Sequence, residues 1–229
     1  MTWKQVFTSS VGKKLVMGLT GISLVLFLVV HVGLNACIWA MDGGEMFNRA
    51  ANFMGSNVIP RILEVGLFGG IFLHIIQGYL LTIENKKKRS VGYAVSYSDG
   101  SKWYSRSMAL LGTLLLIFFI IHWKQFWIPS RFTGVDEVAM SATNPKLVHN
   151  LYGLMKDTFQ ELWVVIVYVI GCISLGYHLA HGFQSAFRTL GVHNKRYNAM
   201  LTSIGYAFAI IVPLAFALMP VSFYLGWVK

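Results

Sequence analysis

Charge is scarce in this chain. Of its 229 residues only 12% are charged, and acids are rarer still, nine against nineteen Lys and Arg. So little charge against 55% hydrophobic residues and a mean hydropathy of +0.59 excludes an ordinary soluble domain. Cysteine is almost absent. Cys37 and Cys172 both lie inside apolar runs, and no CxxC, CxxCH or Cys/His cluster is present, which excludes a zinc finger, an iron–sulfur centre and a covalently attached haem. A glycine-rich phosphate loop is missing too. The "GLFGGIF" glycines fall mid-run, with neither the spacing nor the helix start of a nucleotide site, and read as small residues for helix packing.

What the chain does have is long apolar runs. Five are long enough to cross a bilayer, which takes roughly 20 residues, and they fall near 15–40, 58–83, 105–128, 160–187 and 199–226. The first is too long for a signal h-region and has no small-residue cleavage site after it, so it reads as a retained span. The polar stretches 84–104 and 129–159 read as loops. With no domain boundary or repeat, the expectation is a single all-α domain, a transmembrane bundle of five helices over 1–229.

The few charges are arranged asymmetrically. The N-terminus and the loops at 84–106 and 188–196 hold twelve Lys and Arg against Glu84 and Asp99, whereas the opposite side holds seven of each sign. The positive-inside rule makes the first side, with the N-terminus, cytoplasmic. The surplus of ten positive charges thus lies on the inner face, where it would meet anionic headgroups or a docked subunit and calls for no nucleic acid.

Four spans each carry a histidine past their middle: His31, His74, His122 and His178. His31 and His122 are displaced toward the outer face and His74 and His178 toward the inner one, which predicts two layers of paired imidazoles and hence two bis-histidine metal centres. A buried polar group left unpaired costs roughly 1–3 kcal/mol, so the four must share partners, and haem b supplies two coordination bonds per pair. Gly78 and Gly182, each four residues past a histidine, lie on that histidine's face and leave room for a flat macrocycle. His181 lacks that glycine and sits about 4.5 Å further toward the inner face at 1.5 Å per residue. It reads as a donor to a haem propionate or a polar neighbour, and His149 and His193 as loop residues.

With "HVGLN" around His31, "HIIQG" at His74, "SRSMALLGTLLLIFFIIHW" ending beside His122 and "HLAHGFQSAFRTLG" from His178, the chain resembles the single-polypeptide, five-helix di-haem cytochrome b anchor of succinate:quinone oxidoreductases, the succinate dehydrogenases and fumarate reductases. The resemblance covers almost the whole length, and H-x3-G-x8-G is its most specific piece. It implies proximal haem ligands at His74 and His178 and distal ligands at His31 and His122. It further implies a flavoprotein subunit carrying FAD, an iron–sulfur subunit docked on the inner face, a membrane quinone (menaquinone) as electron partner, the bacterial cytoplasmic membrane as location, and assembly into a higher oligomer. The chain has no flavin or cluster motif of its own, so succinate chemistry would belong to the partners. A di-haem anchor of a formate dehydrogenase or hydrogenase is the alternative reading.

Further expectations follow. Arg106, Ser107 and Arg188, at the inner ends of helices, face either proximal-haem propionates or headgroups and the docked subunit. An electron entering at the inner face leaves at the far end of the chain, so the quinone site is expected on the outer side, from Trp39, Glu45, Asn48, Asn52, Trp123 and Trp127. Some relatives carry a membrane-embedded glutamate two residues before the fourth-helix ligand. Here that residue is Gly176, and no carboxylate lies mid-membrane.

Overall fold

The computed structural model describes residues 8–87, 103–141, 143–192 and 194–228. Most of the loop read at 84–104, and His193, lie outside them. The elements in order are α1 (Ser10–Asn35), α2 (Glu45–Ser56), α3 (Val58–Lys87), α4 (Trp103–Arg106), α5 (Met108–His122), β1 (Glu137–Ser141), β2 (Asn144–His149), α6 (Leu151–Thr158), α7 (Leu162–Thr189) and α8 (Lys195–Tyr224). Five helices are long and apolar enough to cross a membrane: α1 with the 3-10 turn after it, α3, α5 with its continuation to Thr133, α7 and α8. The chain is a multi-pass membrane protein.

The third span outruns the expected end at 128. A proline inside a helix removes one N–H and crowds the carbonyl four residues back, so Pro129 should end it. Instead the helix widens to π turns over Trp123–Trp127 and Pro129–Thr133, and stops where Gly134 takes a φ of +87° and its N–H bonds Pro129 O at 3.1 Å. The wider turn accommodates Pro129 here, whereas α8 runs through Pro213 and Pro220 in α geometry.

Side chains of exposed Leu, Ile, Val and Phe cover the outside of all five spans. In lipid such a surface costs nothing, but neither does it drive the helices together, so close backbone approach at small residues and interhelical hydrogen bonds must do so. The contacts are of that kind. A Cβ at Gly18 on α1 would meet Ala186 O of α7 at 3.4 Å, and one at Gly176 on α7 would meet Ala209 O of α8 at 3.0 Å. Ser174 on α7 donates to Leu111 O of α5 at 3.1 Å, Tyr79 on α3 reaches Thr113 on α5 at 2.7 Å, and Lys13 on α1 is buried in an ion pair with Glu84 on α3.

The expectation of an all-α chain needs correction at one end. Within the stretch read as a loop, β1 and β2 pair antiparallel from Glu137↔His149 to Ser141↔Asn144, with an irregularity at Met140 opposite Pro145 and Lys146, where proline offers no N–H to the ladder. Helices α2 and α6 flank this hairpin. Together they close over the bundle end around Ile38, Phe47, Tyr152, Met155, Phe159, Tyr168, Met219 and Phe223. Asn48, 4% exposed, ties the cap: its amide nitrogen donates to Asn150 Oδ1 at 3.1 Å and its oxygen accepts from Tyr152 N at 2.9 Å. Burial, and then the Asp42 carboxylate, raise the pKa of the Tyr152 phenol in this cap.

Asn48→Ala would strand the buried Tyr152 N–H, a loss of about 2 kcal/mol. The expected outcome is a lower unfolding midpoint for the protein in detergent, read by a thermal melt, with an unchanged melt contradicting it.

Candidate functional site

The bundle brings the four membrane-embedded histidines together in two pairs. His31 on α1 and His122 at the end of α5 have ring centroids 5.9 Å apart with planes at 90°. His74 on α3 and His178 on α7 have centroids 6.1 Å apart with planes at 65°. Two imidazoles on opposite axial positions of one iron, with metal–nitrogen bonds of about 2 Å, set their ring centroids roughly 6 Å apart. Both ring planes then contain the ligand–metal axis, so any angle between them is allowed. The observed spacings meet this geometry in both layers. Among the described residues no group of three or more His, Cys, Asp or Glu forms a metal cluster.

Hydroxyl groups orient two of the rings. The Thr20 hydroxyl gives its single proton to Val16 O at 2.7 Å, so at His74 Nδ1, 3.1 Å away, it can only accept. Tyr168 likewise donates to Gln125 Oε1 at 2.7 Å and is left to accept from His122 Nδ1 at 3.4 Å. In both rings this puts the proton on Nδ1 and leaves the Nε2 lone pair for a metal, the arrangement a ligating histidine requires. His178 Nδ1 is buried with no hydrogen-bond partner. His31 has Asn35 Nδ2, which donates to its carbonyl at 2.7 Å, lying 3.4 Å from Nδ1; its ring is stacked by Phe27 and flanked by Phe216.

The surroundings of both pairs are close-packed. Glycines face the edges of the second pair: a Cβ at Gly21 would stand 3.6 Å from His74 Cε1, and one at Gly112 would stand 3.9 Å from His178 Cε1. A Cβ at Gly182 would meet nothing within 4 Å, whereas one at Gly78 would stand 3.7 Å from Met17 Cε. Around the first pair the walls are aromatic, with Phe118 stacked on His122 and Phe126 and Tyr168 beside it. Thr20 touches His74 eleven residues before His31 on the same helix, so the layers are roughly 16 Å apart at 1.5 Å per residue. That is half of a hydrocarbon core of about 30 Å.

The residues expected around the proximal pair divide. His181 and Arg188 line one cavity with Lys14, while Arg106 ends α4 and Ser107 caps α5 outside that cavity. Those expected on the quinone side also divide. Trp39 donates from Nε1 to Ser222 Oγ at 3.1 Å and borders a cavity of about 330 Å3 with Gly33, Cys37 and Met46. Glu45, beside Arg49, and Asn52 are both half-buried on α2. Asn48 spends its amide inside the cap. Trp123 packs against Phe68, Phe72 and Phe119.

Trp127 leads to Glu64, a residue not among those expected at the quinone side. The Trp127 Nε1 donates to Glu64 Oε1 at 2.6 Å, and Arg131 donates to both Glu64 oxygens at 3.1 Å. Arg61 adds a second cation at 3.5 Å. Glu64 is thus a carboxylate held at the hairpin end of the bundle by two helices. The hint available in sequence was Arg61 three residues before it, while Trp127 and Arg131 lie more than sixty residues away. The coupling is testable: Arg131→Met is expected to lower the unfolding midpoint in detergent, and a double-mutant cycle with Glu64→Gln to give about 1 kcal/mol of interaction, against a coupling near zero if the contact is idle.

Compared with family models, with curated proteins and with solved structures, the chain matches none of them.

Proposed function

We propose that this chain is the di-haem membrane anchor of a succinate dehydrogenase or fumarate reductase, carrying electrons between an iron–sulfur subunit and a membrane quinone. The observation that carries the reading is the pairing of four membrane-embedded histidines at the spacing of two axial ligands, 5.9 Å and 6.1 Å, in two layers. His74 and His178 would hold one haem b and His31 and His122 the other, without covalent attachment. When bound, haem supplies a one-electron couple at each layer.

The protein's own groups do the rest. Thr20 and Tyr168 keep the proton of His74 and His122 on Nδ1, and the apolar and aromatic walls exclude water from both layers. The basic end, read as cytoplasmic, offers its positive surface to the iron–sulfur subunit, which in turn meets a flavoprotein with FAD. The quinone site belongs at the hairpin end, beside the His31–His122 pair. There Glu45, its side chain partly exposed at the membrane edge, can take and release a proton as a quinone is reduced or a quinol oxidised, while Glu64 stays ion-paired to Arg131.

A pyridine haemochrome assay on the purified protein is expected to return two haem b per chain, and a reduced-minus-oxidised spectrum a b-type band. His74→Ala and His178→Ala should each remove the same haem, and His31→Ala and His122→Ala the other. A haem-free spectrum, or loss of the proximal haem in His181→Ala with its retention in His178→Ala, would overturn the assignment. Thr20→Val, which leaves every ligand in place, should weaken haem retention at the His74 layer by roughly tenfold and shift its potential. Isolation of the native complex is expected to bring down a flavoprotein and an iron–sulfur protein, and their absence would favour another quinone-linked enzyme.

A further inference from the structure

At the basic end of the bundle a cavity of about 440 Å3 lies between the first turns of α1 and the last turns of α7. Its polar wall is made by Lys14, His181, Gln184, Ser185 and Arg188, and its apolar wall by Val11 and Leu15. No carboxylate lines it among the described residues. Lys13, next in sequence to Lys14, is buried against Glu84, whereas Lys14 and Arg188 are exposed and form no ion pair among the described residues. Two exposed cations lining one space call for an anion.

The cavity faces away from the bundle interior. Neither His74 nor His178 borders it, Val11 is 68% exposed, and Leu19, 54% exposed, continues the Val11–Leu15 face at four-residue steps along α1. The ligand therefore has an anionic head at the helix ends and an apolar body running down the outside of a membrane helix. We propose that this cavity is a site for an anionic membrane phospholipid. Lys14 and Arg188 bind the phosphate, beside Gln184, and an acyl chain lies along Val11, Leu15 and Leu19. Basic pockets between helix ends are a recurring solution for holding such headgroups. The site stands independently of the haem reading, since it uses none of the four paired histidines.

The test uses the full-length protein in a neutral detergent with three probes: dioctanoyl phosphatidylglycerol, dioctanoyl phosphatidylcholine and inorganic phosphate. Native mass spectrometry is expected to show one retained phosphatidylglycerol, which also raises the unfolding midpoint. The Lys14→Gln/Arg188→Gln protein should lose about tenfold or more in affinity for it. Gln184→Glu, which keeps both cations and adds a negative charge, should weaken it as well and decides the matter if the double variant does not fold. Equal retention of phosphatidylcholine would overturn the proposal. So would full protection by inorganic phosphate alone, which would make this a free-anion site, or unchanged affinity in both variants. Loss of bound haem without loss of lipid from the double variant would also overturn it, since the cations would then serve the cofactor's carboxylates.

Discussion

Inside the hydrocarbon layer there is no water to take up a stray lone pair or N–H, so every imidazole placed there must be satisfied by the bundle or by what the bundle binds. Much of the architecture follows from that constraint. Thr20 and Tyr168 can act as acceptors toward histidines only because Val16 O and Gln125 Oε1 have already taken their protons. The direction of each hydrogen bond is therefore set one residue further out than the ring it orients. This chain of commitments runs from α1 to α3 in one layer and from α7 to α5 in the other, so it also fastens the helices that carry the rings.

Packing at small residues serves the same end by different means. Gly18 lets α1 approach α7, Gly21 brings it against His74, and Gly112 brings α5 against His178. A helix pressed this closely cannot rotate without opening a void, so the imidazoles inherit the rigidity of the backbones. The aromatic cap does for the other end what glycines do here. Ile38, Phe159 and Phe223, each nearly inaccessible, lock the turn after α1 to α8 below the hairpin.

The spans and the four histidines were legible in the sequence because both signals are local: run length and hydropathy give the helices, and position within a run gives depth. What stayed hidden is tertiary. Thr20 reads as one more small residue in an apolar helix until α3 sets His74 beside it. Glu64 looks like an interfacial charge, and only the folded chain brings Trp127 and Arg131 to it. The hairpin escaped notice because its strands are short and Pro145 argues against a strand; it is tolerated where the two-stranded ladder is irregular. Pro129 misled for the opposite reason, since it argues for a helix end and this helix widens instead. Asn48 has the composition of a binding residue and the position of a structural one.

Gly176 has one more consequence. Its α-carbon lies so near Ala209 O that even a methyl group would stand 3.0 Å from that oxygen, and a carboxylate side chain would force α7 and α8 apart. The helix contact that holds the bundle closed thus excludes an acidic proton carrier from the middle of the membrane at this point. For an anchor that takes an electron in at one face and hands it to a quinone at the other, no proton travels with the electron by this route. In an anchor of the proposed kind with no other proton route, each transfer would move net charge across the bilayer, exchanging about 2.3 kcal/mol per 100 mV with the membrane potential, so the direction in which such a complex turns over would respond to how strongly its membrane is energised.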